Sequence, residues 1–164
     1  MKTDTNVTSN FALPEAAFEK YADMIYRLIF VRTKSRADSD DVLQEVFLRY
    51  MRISGNMQSE EHVKATLIRI ALNCSNSLTA SFWHKKIDPL DEGLISPDTP
   101  DGTNLLSEVL ALPLKYRTVI HLHYYGGFSV EELAEITGSN PSTVKTRLSR
   151  GRALLRKALG EDMP

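Results

Sequence analysis

The chain has 164 residues, 42% apolar and 25% charged, with a formal net charge of −1. This is enough for one ordinary soluble domain or two small ones. A single cysteine, Cys74, excludes an internal disulfide and a cysteine-rich metal site. No signal-type apolar run follows Met1 and no stretch approaches bilayer length, so a cytoplasmic protein is expected. The charge is segregated: residues 87–112 hold six acidic residues and no basic one, and residues 113–164 hold eight basic and five acidic.

Residues 1–14 read as a flexible tail. A first helix is predicted over 15–33, with Phe18, Tyr21, Ala22, Ile25, Leu28 and Ile29 on one face. Thr33–Ser39 is polar and reads as a loop. A second helix follows over Asp40–Arg52, with Leu43, Val46, Phe47 and Tyr50 as its stripe. Asp38, Asp40 and Asp41 sit where the positive end of the helix dipole favours them. Its outer face carries Asp41, Gln44, Glu45, Leu48 and Arg52. A leucine among charges points to a partner surface, although single exposed apolar residues are also ordinary.

Ser54–Met57 breaks the pattern, and a longer helix is predicted over Glu60–Lys85. Val63, Leu67, Ile70, Ala71, Cys74 and Leu78 keep helical spacing, which makes Cys74 a small buried hydrophobe. Lys64, Thr66, Arg69, Asn73, Asn76 and Ser77 form its polar side, suited equally to water or to nucleic acid. Residues 87–103, IDPLDEGLISPDTPDGT, hold three prolines, two glycines and five acidic residues, and read as a linker. Helices resume over Asn104–Leu112 and from Pro113 to Gly126–Gly127, the second with Val119, Ile120, Leu122 and Tyr125 buried. No alternating apolar run is long enough for a strand. The expected fold is all-α, with two small helical domains (15–86 and 104–164) joined by a flexible acidic linker.

The last stretch, Ser129–Leu159, carries a helix-turn-helix pattern. Ser129 with Glu132 three residues on is a capping box, and Val130, Leu133, Ala134 and Ile136 give the first helix its apolar face. Gly138 stops that helix, Asn140 caps the next, and Pro141 occupies its first position. Val144, Leu148, Gly151, Leu155 and Leu159 form the buried stripe, with Ala134 and Gly138 expected where the helices cross. Pro141–Leu159 contains no acidic residue, and Lys145, Arg147, Arg150, Arg152, Arg156 and Lys157 are basic. Ser142, Thr143, Lys145 and Thr146 could reach base edges while the arginines behind them suit phosphates. A solvated basic face on a helical hairpin has the same pattern.

Taken in order, these segments resemble the extracytoplasmic-function (ECF) group of bacterial RNA polymerase sigma factors, over about residues 15–160. Asp40-Asp41-Val42-Leu43-Gln44-Glu45-Val46-Phe47-Leu48-Arg49 is similar to the signature of sigma domain 2. His62–Ala65 with Leu67–Asn73 is similar to its DNA-melting helix, and Leu112–Arg117 with Thr143–Arg150 to sigma domain 4. The resemblance implies that Asp41, Gln44, Glu45, Leu48 and Arg49 face the coiled coil of the polymerase's largest subunit. It implies that Ser54, Gly55, Asn56 and Met57 hold a flipped base of the minus-ten element, with Lys64, Arg69 and Asn73 on the separating strand. Unstacking a base costs a few kcal/mol, which such a pocket must recover. Ser142, Thr143, Lys145, Thr146, Ser149 and Arg150 would read the minus-thirty-five element, and the acidic linker would thread through polymerase. The implied partners are core RNA polymerase, promoter DNA and an anti-sigma factor. Thr66 departs from the tryptophan and Ser77 from the aspartate common in such sequences, and Trp83 is too distant to replace that tryptophan directly.

Two other classes compete. A stand-alone helix-turn-helix regulator would use the C-terminal half alike, but has no reason to carry the Asp41–Arg49 face. An enzyme would need a catalytic constellation. The histidines are His62, His84, His121 and His123, of which His121 and His123 are two apart on a helix and diverge. No nucleophile–base pair, carboxylate pair or phosphate loop stands out, so no catalytic residue, metal or cofactor is expected.

Overall fold

The computed structural model describes residues 10–82 and 102–160. The first part of the expected tail, nearly all of the expected linker and Trp83 lie outside the described residues. Those described form helices α1 (Pro14–Thr33), α2 (Arg36–Ile53), α3 (Glu60–Phe82), α4 (Gly102–Ala111), α5 (Leu114–Ile120), α6 (Val130–Thr137) and α7 (Pro141–Leu159), with no strand among them. α1, α2 and α3 pack on one another, and α4 to α7 form a second group around α7.

In the first group, Ile25, Leu28, Ile29, Val46, Tyr50, Val63 and Leu67 are buried, as the helical spacing predicts. Tyr50 donates from its hydroxyl to the Ala12 carbonyl at 2.7 Å, tying the short Asn10–Ala12 turn to α2. Two expectations change. α2 starts at Arg36, inside the expected Thr33–Ser39 loop, because the Ser35 hydroxyl accepts from the Asp38 N–H at 3.2 Å and caps the helix there. Phe18 is exposed rather than core, lying edge-on against Phe47 with ring centroids 5.0 Å apart.

In the second group the local signals operate as expected. Ser129 Oγ accepts from the Glu132 N–H at 3.1 Å, and Asn140 Oδ1 from the Thr143 N–H at 2.8 Å. Gly138 ends α6 at φ 69°, a conformation that costs an L side chain about 1–2 kcal/mol. A Cβ on Gly138 would meet nothing within 4 Å, so its role is the backbone turn and not a helix crossing. The tight crossing is α5 against α7, where a Cβ on Gly151 would sit 2.9 Å from Ile120 Cγ1 and 3.4 Å from Tyr116 Cβ. Gly151→Val should therefore destabilise the protein by about 1–3 kcal/mol, read as a lower denaturant midpoint. An unchanged midpoint would mean that the crossing has room.

Tyr125 is the second apolar position that the spacing misplaces. α5 passes into a π-turn over His121–Tyr125, in which the Gly126 N–H donates to the His121 carbonyl at 3.1 Å. The extra residue in that turn shifts the helical register. Val119, Ile120 and Leu122 remain buried, while Tyr125 is exposed. Its ring stacks on His121 with centroids 5.0 Å apart, and the Arg27 guanidinium lies 5.3 Å from the Tyr125 centroid. Burial, then the neighbouring Arg27 charge, pushes His121 down to about 4, so it is neutral at pH 7.

The two groups meet along α1, α3, α5 and α6. Arg32 and Arg117 are buried at this junction. Arg117 donates from Nε to the Val31 carbonyl at 2.6 Å, from Nη2 to Arg32 O at 2.8 Å and from Nη1 to Leu112 O at 2.9 Å. Its charge thus sits on the open carbonyls at the negative end of α1. Arg32 donates from Nε to Ser75 Oγ and from Nη1 to Thr118 Oγ1, both at 2.6 Å, and from Nη2 to Asn76 Oδ1. Ile68 and Leu72 of α3 are buried in addition to the expected stripe. The helix is covered on more of its circumference than one apolar face.

Candidate nucleic-acid interface

Capping and the Gly138 turn fix where α7 starts, and Val144, Leu148, Gly151 and Leu155 seat it. The opposite side follows from helical geometry. Ser142, Lys145, Thr146, Ser149 and Arg150 are exposed, one to two turns apart, and Thr143 is half-exposed beside them. Thr146 Oγ1 donates to the Ser142 carbonyl at 3.0 Å, which leaves the hydroxyl oxygen able to accept. This end of α7 borders a groove of about 380 Å³ that Lys115 and Tyr116 of α5 also line. The Arg150 guanidinium beside the Tyr116 phenol lowers the tyrosine's pKa, with the Lys115 charge adding to it. Lys115 and Tyr116 escaped the sequence reading as site residues because only the α5–α7 crossing brings them beside α7.

The candidate polymerase-facing residues form one continuous stripe on α2. Asp41, Gln44, Glu45, Leu48 and Arg49 are all exposed. Arg49 Nε donates to Glu45 Oε1 at 2.8 Å, one helical turn away. Leu48 lies beside them with 55% of its surface exposed, and Met51, three positions on, extends the apolar patch.

The candidate minus-ten residues are less uniform. Ser54–Asn56 forms a single 3₁₀ turn, with Gly55 and Asn56 exposed and Met57 half-buried. Arg69 and Asn73, an i,i+4 pair, share a face of α3. Lys64 is turned away from them by helical geometry, and its ammonium lies 4.6 Å from the Phe128 ring centroid, within cation–π range. Thr66, expected on the polar face, is buried, whereas Ser77 is exposed and donates to the Asn73 carbonyl at 3.1 Å. Arg69 Nη2 faces Glu135 Oε1 of α6 at 3.8 Å. Arg69 and Asn73 line a cleft of about 530 Å³ between the two helix groups, together with Arg32, Lys115, Glu135 and Arg147. Among the residues described, no cluster of His, Cys, Asp and Glu could hold a metal ion, and no helix is long and apolar enough to cross a membrane.

Residues 103–155 match the family model for Sigma-70, region 4. Over 163 residues the chain is 34% identical to the ECF RNA polymerase sigma factor SigW of Bacillus subtilis, covering 85% of this chain and 84% of SigW. It is 31% identical over 143 residues to the RNA polymerase sigma factor SigV of the same organism, covering 84% of this chain and 85% of SigV. The chain belongs to the ECF sigma factors. The fold agrees. The sigma factor RpoE of Bartonella quintana, solved with the anti-sigma factor NepR, superposes with a TM-score of 0.75 at 20% identity, over 91% of this chain and 98% of RpoE. CnrH, solved with the cytosolic domain of CnrY, gives 0.67 at 19% identity, over 96% and 94%. For this sigma factor the helix-turn-helix of α6 and α7 therefore lies within region 4.

Proposed function

We propose that this sigma factor divides its work between its two helical domains, 15–86 and 104–164, joined by the acidic linker 87–103. α2 docks on core RNA polymerase through Asp41, Gln44, Glu45, Leu48 and Arg49. The Ser54–Met57 turn, with Lys64, Arg69 and Asn73 of α3, engages the opened minus-ten element. α7 reads the minus-thirty-five element through Ser142, Thr143, Lys145, Thr146, Ser149 and Arg150, and Lys115 adds a phosphate contact beside them. The chain performs no bond chemistry: binding energy offsets the cost of unstacking. Its place of action is the cytoplasm. RpoE and CnrH were solved with NepR and with the cytosolic domain of CnrY, and an anti-sigma factor is the corresponding partner of this chain.

The observation that carries this reading is the pairing of two separate exposed faces on one chain, the α2 stripe around Leu48 and the basic face of α7. A stand-alone regulator needs only the second. Run-off transcription with purified core polymerase tests it, using promoters identified by transcript sequencing after overexpression. A promoter-specific product that depends on the added chain is expected. Duplex binding with no core-dependent product would sink the reading.

A further inference from the structure

The Ser54–Met57 turn enters α3 through a short exit, Gln58 and Ser59. Ser59 caps the helix: its Oγ accepts from the His62 N–H at 3.0 Å, and its carbonyl accepts from the Val63 N–H at 3.1 Å. His62 is thus the third residue of α3. Its ring reaches back past the cap, and Nδ1 accepts from the Gln58 N–H at 3.2 Å. A capping box ordinarily places glutamate or glutamine at this position and bonds the N–H of the capping residue itself. Here the bond lands one residue earlier, on the residue that follows Met57.

The consequence is geometric. A peptide unit is planar, and no cis bond occurs among the described residues. Holding the Gln58 N–H therefore fixes the plane of the Met57–Gln58 peptide and the direction of the Met57 carbonyl. The turn has two other fastenings. At its entry Ser54 Oγ donates to the Met51 carbonyl at 3.3 Å, and at its end the half-buried Met57 side chain packs against the core. Between them Gly55 and Asn56 are exposed, and a Cβ on Gly55 would meet nothing within 4 Å. Among the described residues, His62 supplies the one side-chain hydrogen bond from α3 to the backbone of residues 54–58.

The residue type suits the place. A backbone N–H only donates, so Nδ1 is the unprotonated ring nitrogen here and a ring proton sits on Nε2. A glutamate would accept as well, but it would set a negative charge beside an approaching phosphate backbone. Glu60 and Glu61 already precede it, and the Glu60 carboxylate is paired with Lys20 of α1. Imidazole supplies the acceptor without adding to that charge.

We infer that His62 is a positioning residue for the minus-ten element: it fastens the exit of the Ser54–Met57 turn so that the turn meets a flipped base in one fixed geometry, and base discrimination there depends on this bond. The part concerning the base rests on the function proposed above. The fastening stands on the loop geometry alone.

The test uses the full chain with His62→Ala, which removes the acceptor, and His62→Asn, whose Oδ1 takes the place of Nδ1 one bond beyond Cγ. Hydrogen exchange of the Gln58 amide, read by NMR, should be about fivefold faster in His62→Ala than in the parent chain and return toward the parent rate in His62→Asn. Run-off transcription with core polymerase then compares templates that differ at single minus-ten positions. His62→Ala should lose about fivefold in discrimination at one of these positions, His62→Asn should recover it, and both should bind a minus-thirty-five duplex as the parent does. Unchanged Gln58 exchange in His62→Ala would overturn the fastening. Discrimination equal to the parent's, a loss spread evenly over all minus-ten positions, or an equal loss in both variants would overturn the positioning role. A parent chain that yields no promoter-dependent product would instead remove the sigma reading, and the exchange rates would still decide whether His62 holds the loop.

Discussion

Replacing Lys145 and Arg150 together by alanine should lower affinity for a minus-thirty-five duplex by about a hundredfold at ~0.1 M salt, and each single change by about tenfold. Both side chains are exposed on the side of α7 away from Val144, Leu148 and Leu155, so their removal leaves the packing intact. The effect is electrostatic and carries a signature. Removing one cation from a phosphate should reduce the magnitude of the slope of log K against log salt by about 0.9. Thr146→Val, one turn from Ser142, should leave that slope unchanged and alter discrimination between base pairs instead. Arg150 has a second neighbour, the Tyr116 phenol. Tyr116→Phe should therefore reproduce a fraction of the Arg150→Ala effect if the phenol orients the guanidinium. Titrations of labelled duplex at several salt concentrations read all of these. A salt slope unchanged in both charge variants would place Lys145 and Arg150 off the DNA.

The helix-turn-helix was legible in the sequence because its determinants are local. Ser129, Gly138, Asn140 and Pro141 each act on backbone groups within a few residues, and each operates as its type predicts. The start of α2 was written in the same language: Ser35 is followed three positions on by Asp38, a capping signal inside a stretch that otherwise reads as polar loop. What escaped was long-range. Arg32 and Arg117 look like ordinary surface arginines, since that residue type is rarely buried without a partner. Only the approach of α5 to the end of α1 supplies the carbonyls and hydroxyls that satisfy them. Ile68 and Leu72 fall outside the single stripe read from periodicity, and the same junction helps explain them: Leu72 borders the cleft with residues of α5 and α6. Tyr125 failed for another reason. A π-turn changes the period itself, so a pattern counted at 3.6 residues per turn points the ring the wrong way.

Leu48→Glu should abolish measurable core polymerase binding under conditions where the parent chain binds, a weakening of more than ~30-fold, or about 2 kcal/mol. Leu48 is exposed in the free chain, so the substitution leaves the packing of the fold as it was. In the proposed docking on polymerase the same position is the apolar member of the Asp41–Arg49 stripe. A carboxylate placed there would enter a desolvated interface without a partner, and burying an unpaired charge is among the costliest changes available. Leu48→Ala removes only the apolar contact and should cost less, while Gln44→Ala should fall between a neutral rim change and Leu48→Ala. Glu45 and Arg49 already pair with each other at 2.8 Å on an exposed surface, so their pairing contributes little to stability. Their substitution should alter the association rate and its salt dependence more than the dissociation rate. Circular dichroism separates these outcomes from unfolding: full helicity without binding assigns the stripe to the polymerase, and reduced helicity in Leu48→Glu would make the position structural. Normal core binding by Leu48→Glu would move the docking surface off α2 and leave Leu48 and Met51 as exposed apolar residues without that role.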